Sequence, residues 1–332
     1  RSALDHLLAI EGELAELDTH LLPAMARERS VGGPSQRSAR LDDLQGPITA
    51  ASQLARTRLA AIKGLALQCD ALARMEHDFL YDEKRHLLAI GYNVGEHRRD
   101  ASYYDLLASE ARFATFVAIA QGQLPQESWF ALGRLLTIAG SEPILLSWSG
   151  SMFEYLMPLL VMPAYERTLL DQTCQAAVAR QIAYGEKRAV PWGISECGYN
   201  AIDVHRNYQY RAFGVPGLGL KRGLAEDLVI APYATALALM VAPEEACRNL
   251  ERLAAEGFET RYGFYEAIDY TPSRLPPGQA HAVVRSFMAH HQGMSLLSLA
   301  HLLLGRPMQQ RFEAVPAFQA TLLVLQQRIP HA

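Results

Sequence analysis

The chain has 332 residues, half of them hydrophobic, with 31 Lys and Arg against 35 Asp and Glu for a net charge of −4. That size supports a large core in one or two domains, and the mixed charge excludes the basic stripe of a nucleic-acid binder. The longest apolar runs, such as 228–241, carry Pro232 and are too short to span a bilayer.

Leu4, Leu7, Leu8, Leu14, Leu17 and Leu21 recur at helical spacing and predict a first helix over 3–28. Gly32-Gly33-Pro34 breaks it, and Gly46-Pro47 opens a long helix over 48–78. Residues 1–45 are expected as a linker or flank and 46–332 as the functional domain. No signal peptide is visible, and a start at Arg1 without methionine is expected to lie inside something longer. Gly91-Tyr92-Asn93 reads as a turn. Asp100-Ala101-Ser102 reads as the cap of a helix running to residue 120, which Gly122 stops. Further helices are expected over 126–136, 151–160, 165–183, 225–240, 244–255, 285–304 and 308–327. Strand signal is weak and confined to 87–92, 143–148 and 263–270. Long Gly-, Pro- and aromatic-rich connections occupy 139–150, 184–223 and 257–284, and long connections in a compact domain usually carry function. An all-α chain with such loops suggests a helical toroid around a central cavity. The cysteines (Cys69, Cys174, Cys197, Cys247) fit no CxxC pattern and are expected as free, mostly buried thiols in a reducing compartment.

Chemistry concentrates in two segments. Ser147-Trp148-Ser149-Gly150-Ser151-Met152-Phe153-Glu154 joins an indole, small residues and a carboxylate. Trp192-Gly193-Ile194-Ser195-Glu196-Cys197-Gly198-Tyr199 repeats the recipe. A flat ring lies under a pyranose face and polar groups fix its hydroxyls, so both segments suggest a carbohydrate-active enzyme. Such chemistry runs on two carboxyl groups, about 5–5.5 Å apart for retention and about 6.5–9.5 Å for inversion. Four glutamates stand out. Glu196 sits between glycines off any helix and has few structural reasons to be there. Glu110 follows Tyr103-Tyr104-Asp105 on the apolar side of a helix, as a catalytic group or as a partner of Arg112 or Arg134. Glu154 either binds substrate or braces its loop. Glu266, beside Tyr265 and Tyr270, either meets sugar or pairs with Arg274. His290-His291-Gln292 suits hydrogen bonding to hydroxyls or core packing; adjacent helical residues diverge by about 100°, which argues against a shared metal. Gly214–Gly219 lacks the context of a phosphate loop, and no GxSxG elbow is present.

The segments YYDLLASEARFATFVAIAQGQ, SWSGSMFEYLMPLL, AYGEKRAVPWGISECGYNA, DLVIAPYATALALM, GFYEAIDYTPSR and FMAHHQGMSLLSLAHLL resemble the glycoamylase-like cyclization domain of bacterial cyclic β-1,2-glucan synthases, glycoside hydrolase family 189. The resemblance runs from about residue 85 to the end. It implies an (α/α)6 barrel and a retaining transglycosylase that cleaves linear β-1,2-glucan and closes it into a ring, without cofactor or metal. It assigns Glu110 as nucleophile and Glu196 as acid/base. Both are expected to be buried and to share one sugar-sized hollow. Trp148, Phe153, Glu154, Trp192, Tyr199, Tyr265, Glu266, Tyr270, His290, His291 and Gln292 are expected to bind substrate. The resemblance also implies neighbouring glycosyltransferase and phosphorylase-like domains and a place on the cytoplasmic side of the bacterial inner membrane. A β-1,2-glucan hydrolase on the same barrel and a non-catalytic glucan-binding domain are the competing readings.

Overall fold

The computed structural model describes residues 3–31, 36–139 and 142–329. The chain divides into two compact units, Arg1–Glu76 and His77–Ala332. The first holds α1 (Ala3–Glu16), a π-helical turn (Leu17–Leu21), α2 (Leu22–Val31) and α3 (Gln36–Leu72). The expected break at Gly32-Gly33-Pro34 lies outside the described residues. The expected start at Gly46-Pro47 does not occur. Pro47 is carried inside α3, which forgoes one backbone hydrogen bond there. Because α3 runs unbroken to Leu72, this unit ends after Glu76, not after residue 45. Arg56 pairs with Asp18 and Lys63 with Glu11, tying α3 to the segment before α2. No described helix is long and apolar enough to cross a membrane.

The second unit opens with two small antiparallel hairpins, β1 (Tyr81–Asp82) with β2 (Leu87–Leu88) and β3 (Tyr92–Asn93) with β4 (Arg98–Arg99). Then α4 (Ser109–Ala120) begins seven residues later than its expected cap, because the Asp105 carboxylate accepts the Leu107 and Ala108 N–H groups at 2.8 and 3.0 Å and turns the chain first. The expected helix 126–136 shrinks to α5 (Glu127–Ala131), since β5 (Leu136–Ala139) and β6 (Glu142–Leu145) pair as a hairpin. Ser151 caps α6 (Met152–Leu156) in a capping box with Glu154, and Thr168 caps α7 (Leu169–Arg188).

The chain continues with the hairpin β7 (Cys197–Ile202) and β8 (Tyr208–Arg211), followed by β9 (Val229–Ile230). The helix expected over 225–240 becomes that strand and α8 (Pro232–Leu237), with Pro232 opening the first turn. Next come α9 (Pro243–Ala255), the β10 (Glu259–Thr260) and β11 (Gly263–Phe264) pair, β12 (Ala267–Asp269) and β13 (Ala282–Val284). β12 lies between β13 and β9, antiparallel to both. Finally α10 (Ala289–Leu303) and α11 (Pro307–Glu313) precede two 3-10 turns; Pro316 cuts the helix expected over 308–327. All four cysteines are free, but only Cys174 and Cys197 are buried; Cys69 and Cys247 are exposed.

In the second unit helices dominate, and their inner faces close on one core. Trp129, Phe116, Tyr155, Met152 and Leu156 are fully buried, and every residue of α8 is buried. Each large apolar side chain taken from water there contributes about 1.5–3 kcal/mol. The core fixes the ends of α4, α6 and β7, and the carboxylates of interest project from those ends.

Candidate active site

Glu110 lies in the first turn of α4, where the helix dipole favours a carboxylate. Its neighbour Ser109 donates a hydroxyl hydrogen to Oε2 at 2.8 Å. Glu196 immediately precedes β7 on an extended segment whose backbone is clamped: Gln181 bonds both the N–H and the C=O of Ile194 at 2.8 Å. Glu154 lies in the first turn of α6. All three carboxylates line one cleft of about 580 Å³, with Tyr103, Tyr104, Asp105, Trp148 and Phe153 in its walls. The cleft volume suits more than one sugar ring. Three distant segments of sequence, 103–110, 148–154 and Glu196, therefore meet at one hollow.

Burial separates the two principal glutamates. Glu196 is half-buried, and burial first, then the charges of Glu110 and Glu154, push its carboxyl up to about 7; a hydrogen-bonding contact with Tyr210 acts the other way. Glu110 was expected to be buried and is exposed, facing the open space of the cleft. It sits at a helix start whose apolar neighbours Leu106 and Leu107 turn into the core while the first-turn side chain turns out. Among the described residues neither alternative partner, Arg112 nor Arg134, forms an ion pair with Glu110. Arg112 is buried, its Nε without a hydrogen bond, and burial lowers it to about 10. Arg134 donates to the carbonyls of Trp129, Phe130 and Leu132 and to Gln327.

Glu154 is held by its own loop. It accepts hydrogen bonds from the Ser147 hydroxyl (2.9 Å), the Ser151 N–H and hydroxyl (3.1 and 3.0 Å), and both the N–H and hydroxyl of Ser149. Its bracing role is thus visible beside its place in the cleft wall. The loop itself depends on close backbone approach. Gly150 takes φ +72°, and a Cβ at Gly214 would fall 1.8 Å from the Ser149 carbonyl oxygen.

The remaining expected binders divide. Trp148 is 65 % exposed and stands over the cleft, as does Phe153 beside it. Trp192 does not reach the cleft. It is 7 % exposed, packed against Gly185, with its backbone held by Asn249 and Thr235. Tyr199 packs edge-on to Phe213 under Arg211 and Arg274, and Tyr270 packs near His281 and Glu256. Aromatic residues beside a glycine-rich loop read alike in sequence whether they face sugar or core; here these three serve packing. Tyr265, Glu266, His291 and Gln292 line a separate cavity of about 190 Å³ between α8 and α10. Glu266 does not pair with Arg274, which instead holds Asp269 and Asp227. It accepts the Gly198 N–H and meets His291 Nδ1, both at 3.0 Å. His290 is exposed beside Tyr210.

Sequence reasoning missed Tyr210 and Tyr233. Tyr210 on β8 reaches both Glu196 and His291, the latter at 3.3 Å. Tyr233 on α8 bonds Ser195 Oγ at 2.8 Å and the Glu196 carbonyl at 2.9 Å. The alternation Tyr208-Gln209-Tyr210 marks one tyrosine face of a strand and was the available signal for the first; nothing local marks the second.

Residues 102–314 match the Glycoamylase family, described as "Putative glucoamylase". Over 275 residues the chain is 47 % identical to the cyclic beta-(1,2)-glucan synthase NdvB of Rhizobium meliloti (strain 1021), a match that covers 83 % of this chain and 10 % of that protein. The chain thus spans about a tenth of that relative's length. Among solved structures, the endo-beta-1,2-glucanase of Chitinophaga pinensis, in complex with sophorotriose and glucose, superimposes with a TM-score of 0.57 at 17 % identity, covering 80 % of this chain and 65 % of that one. The beta-1,2-glucanase of Parabacteroides distasonis gives 0.54 at 13 % identity, over 94 % of this chain and 44 % of that one. At those identities the likeness is one of fold.

Proposed function

The chain belongs to the Glycoamylase family, and from that premise we propose that it is a retaining transglycosylase that cleaves linear β-1,2-glucan and closes it into cyclic β-1,2-glucan. The helical shell is then an (α/α)6 barrel, and the cleft at its loop end is the active site. The observation that carries this reading is the pairing of Glu110 with Glu196 in one cleft, the second raised to about 7. A carboxyl that keeps its proton near neutrality is what the leaving glycosidic oxygen needs. A second carboxyl, exposed and turned into the open cleft, is what the anomeric carbon needs.

In the first step Glu110 attacks the anomeric carbon as Glu196 hands its proton to the departing oxygen. The bond between the sugars breaks and a glycosyl–Glu110 ester forms. In the second step the 2-hydroxyl at the chain's other end attacks, Glu196 takes its proton, and the ester opens. Trp148 supplies the stacking surface and Glu154 fixes the loop that carries it. The loops over 184–223 and 257–284 favour that hydroxyl over water by holding it close. The similarity to a synthase supports ring closure as the outcome. Within such a synthase the chain works beside glycosyltransferase and phosphorylase-like domains at the cytoplasmic face of the inner membrane.

Hydrolysis at the same site is the second reading, and the exposure of Glu110 to an open cleft favours it. Incubation with linear β-1,2-glucan followed by mass spectrometry and a reducing-sugar assay separates the two. Products one water lighter than the linear chain support cyclization; accumulating reducing ends support hydrolysis; binding without turnover removes both.

A further inference from the structure

Arg112 on α4 is 2 % exposed, and among the described residues its guanidinium forms no ion pair and its Nε no hydrogen bond. A guanidinium keeps its charge at neutral pH, and a buried cation with no opposite charge beside it bears the full cost of leaving water. Asp105 is the one carboxylate that acts on it, but Asp105 holds the Leu107 and Ala108 N–H groups and lines the cleft. Arg112 also lines a small cavity of about 20 Å³, shared with Met162, Thr168, Leu170, Cys174 and Leu325. That is room for a single water-sized or slightly larger particle. Cys174 supplies no negative charge there, because burial pushes its thiol up to about 12. The same cavity meets the start of α7, a helix of 20 residues whose first turn carries the positive end of its dipole. The Leu169 N–H is taken by the Gln327 carbonyl at 2.7 Å and the Asp171 N–H by Thr168 Oγ1 at 3.4 Å. Between them the Leu170 N–H has no hydrogen bond among the described residues. Asp171, the acidic residue of that turn, is engaged elsewhere: it accepts the Arg167 N–H at 2.8 Å and the Gln175 amide at 3.0 Å.

We propose that this cavity is an anion site that takes a single chloride between the Arg112 guanidinium and the first turn of α7. Two independent features of positive charge, a buried side chain and a helix start, converge on one space that no carboxylate fills. The size of that space sets the class of ligand. Polyatomic anions such as carboxylate or phosphate exceed it, and hydroxide is scarce at neutral pH. Chloride supplies the missing opposite charge inside largely apolar walls, where a charge pair is screened least. It also ties α7 to α4, which carries Glu110 one half-turn before Arg112. The site is separate from the cleft carboxylates and is independent of the reaction they run.

The test is a crystal of the intact chain soaked in bromide, with diffraction collected at the bromine absorption edge. An anomalous peak in contact with the Arg112 guanidinium is the expected result. No such peak overturns the proposal, including the case in which an ordered water sits there instead. Neither result involves glucan, so failure here is distinct from failure of the transglycosylase reading. The second arm compares melting temperature in sodium chloride and in sodium methanesulfonate at equal ionic strength, the latter anion being too large for the cavity. At about 100 mM salt, chloride is expected to raise the melting temperature by about 2–4 °C, the shift for a Kd of about 10 mM. Equal melting in the two salts overturns the proposal. Arg112→Met removes the charge and keeps most of the side-chain length among apolar neighbours, so it is expected to melt at the same temperature in both salts. A chloride effect of the parent's size in that variant overturns the proposal, since the ion would then bind elsewhere. Should Arg112→Met fail to fold, the bromide crystal of the parent decides alone.

Discussion

The Tyr233 ring lies flat on the His291 imidazole, 3.7 Å between centroids and 12° between planes, while its hydroxyl reaches over to Ser195 Oγ and the Glu196 carbonyl oxygen. One buried side chain thus fixes the imidazole by its face and the acid's backbone by its edge. Tyr233→Phe keeps the face and removes the edge. It removes the one phenol hydrogen that the Ser195 hydroxyl and the Glu196 carbonyl share, while Ser195 Oγ keeps the Phe153 N–H, and costs about 1–3 kcal/mol of stability. Chemical denaturation measures that loss, and turnover falls with KM little changed because Glu196 loses its aim.

Glu196 makes activity and stability fall together as pH rises. As the proposed acid it would work only while protonated, so turnover is expected to fall as pH rises through about 7. Its folded value exceeds its ordinary 4.5, so the native state binds the extra proton between 4.5 and about 7. Stability from this group is therefore lost as pH rises through that window. Glu196→Gln is expected to reduce turnover 10²- to 10⁴-fold. It also flattens the fall in melting temperature between pH 5 and pH 8 relative to the parent, which differential scanning calorimetry reads directly.

The Glu110 charge is the second contributor to the raised Glu196, after burial. Glu110→Gln is expected to abolish ester formation, with a loss of about 10³-fold or more, and to lower the Glu196 midpoint at the same time. The double Glu110→Gln, Glu196→Gln variant is expected to be no slower than the worse single one, because the two act in one step. Additive losses in single-turnover measurements would separate the two residues into different steps.

Two tryptophans that look alike in sequence are expected to behave differently. Trp148→Ala removes an exposed ring over the cleft, so KM for glucan rises about 2- to 10-fold with the fold intact. Trp192→Ala empties a buried site and costs about 3–5 kcal/mol. Melting temperature and KM measured together distinguish the two outcomes.

Gly214→Ala tests the backbone packing behind the Trp148 loop. A Cβ there would sit 1.8 Å from the Ser149 carbonyl oxygen and 2.7 Å from the Gly150 carbonyl carbon, neither of which is a flexible side-chain end. The substitution is expected to cost about 3 kcal/mol or more and to lower activity even in the folded fraction.

Helical character and the meeting of Glu110 and Glu196 at one hollow were legible in the sequence, because amphipathic spacing and a carboxylate between glycines each have few alternative meanings. The start of α4 was not. Asp100-Ala101-Ser102 and Asp105 are both plausible turn formers, and the choice fell to Asp105, whose carboxylate captures two N–H groups. The exposure of Glu110 was hidden because apolar neighbours at helical spacing mark a face without saying on which side of its edge a residue stands. Trp192, Tyr199 and Tyr270 were overcounted as sugar binders for a related reason: local pattern reports a ring, and only tertiary packing decides what covers it. Tyr210 and Tyr233 escaped notice because their partners lie 81 and 38 residues away.

Glu154 gathers the hydroxyls of Ser147, Ser149 and Ser151 and two of their N–H groups onto one carboxylate. The strap beneath Trp148 is accordingly rigid before any glucan arrives. On the proposed reading an incoming sugar chain spends little of its binding free energy on freezing that segment, which is ordered by its own hydrogen bonds beforehand.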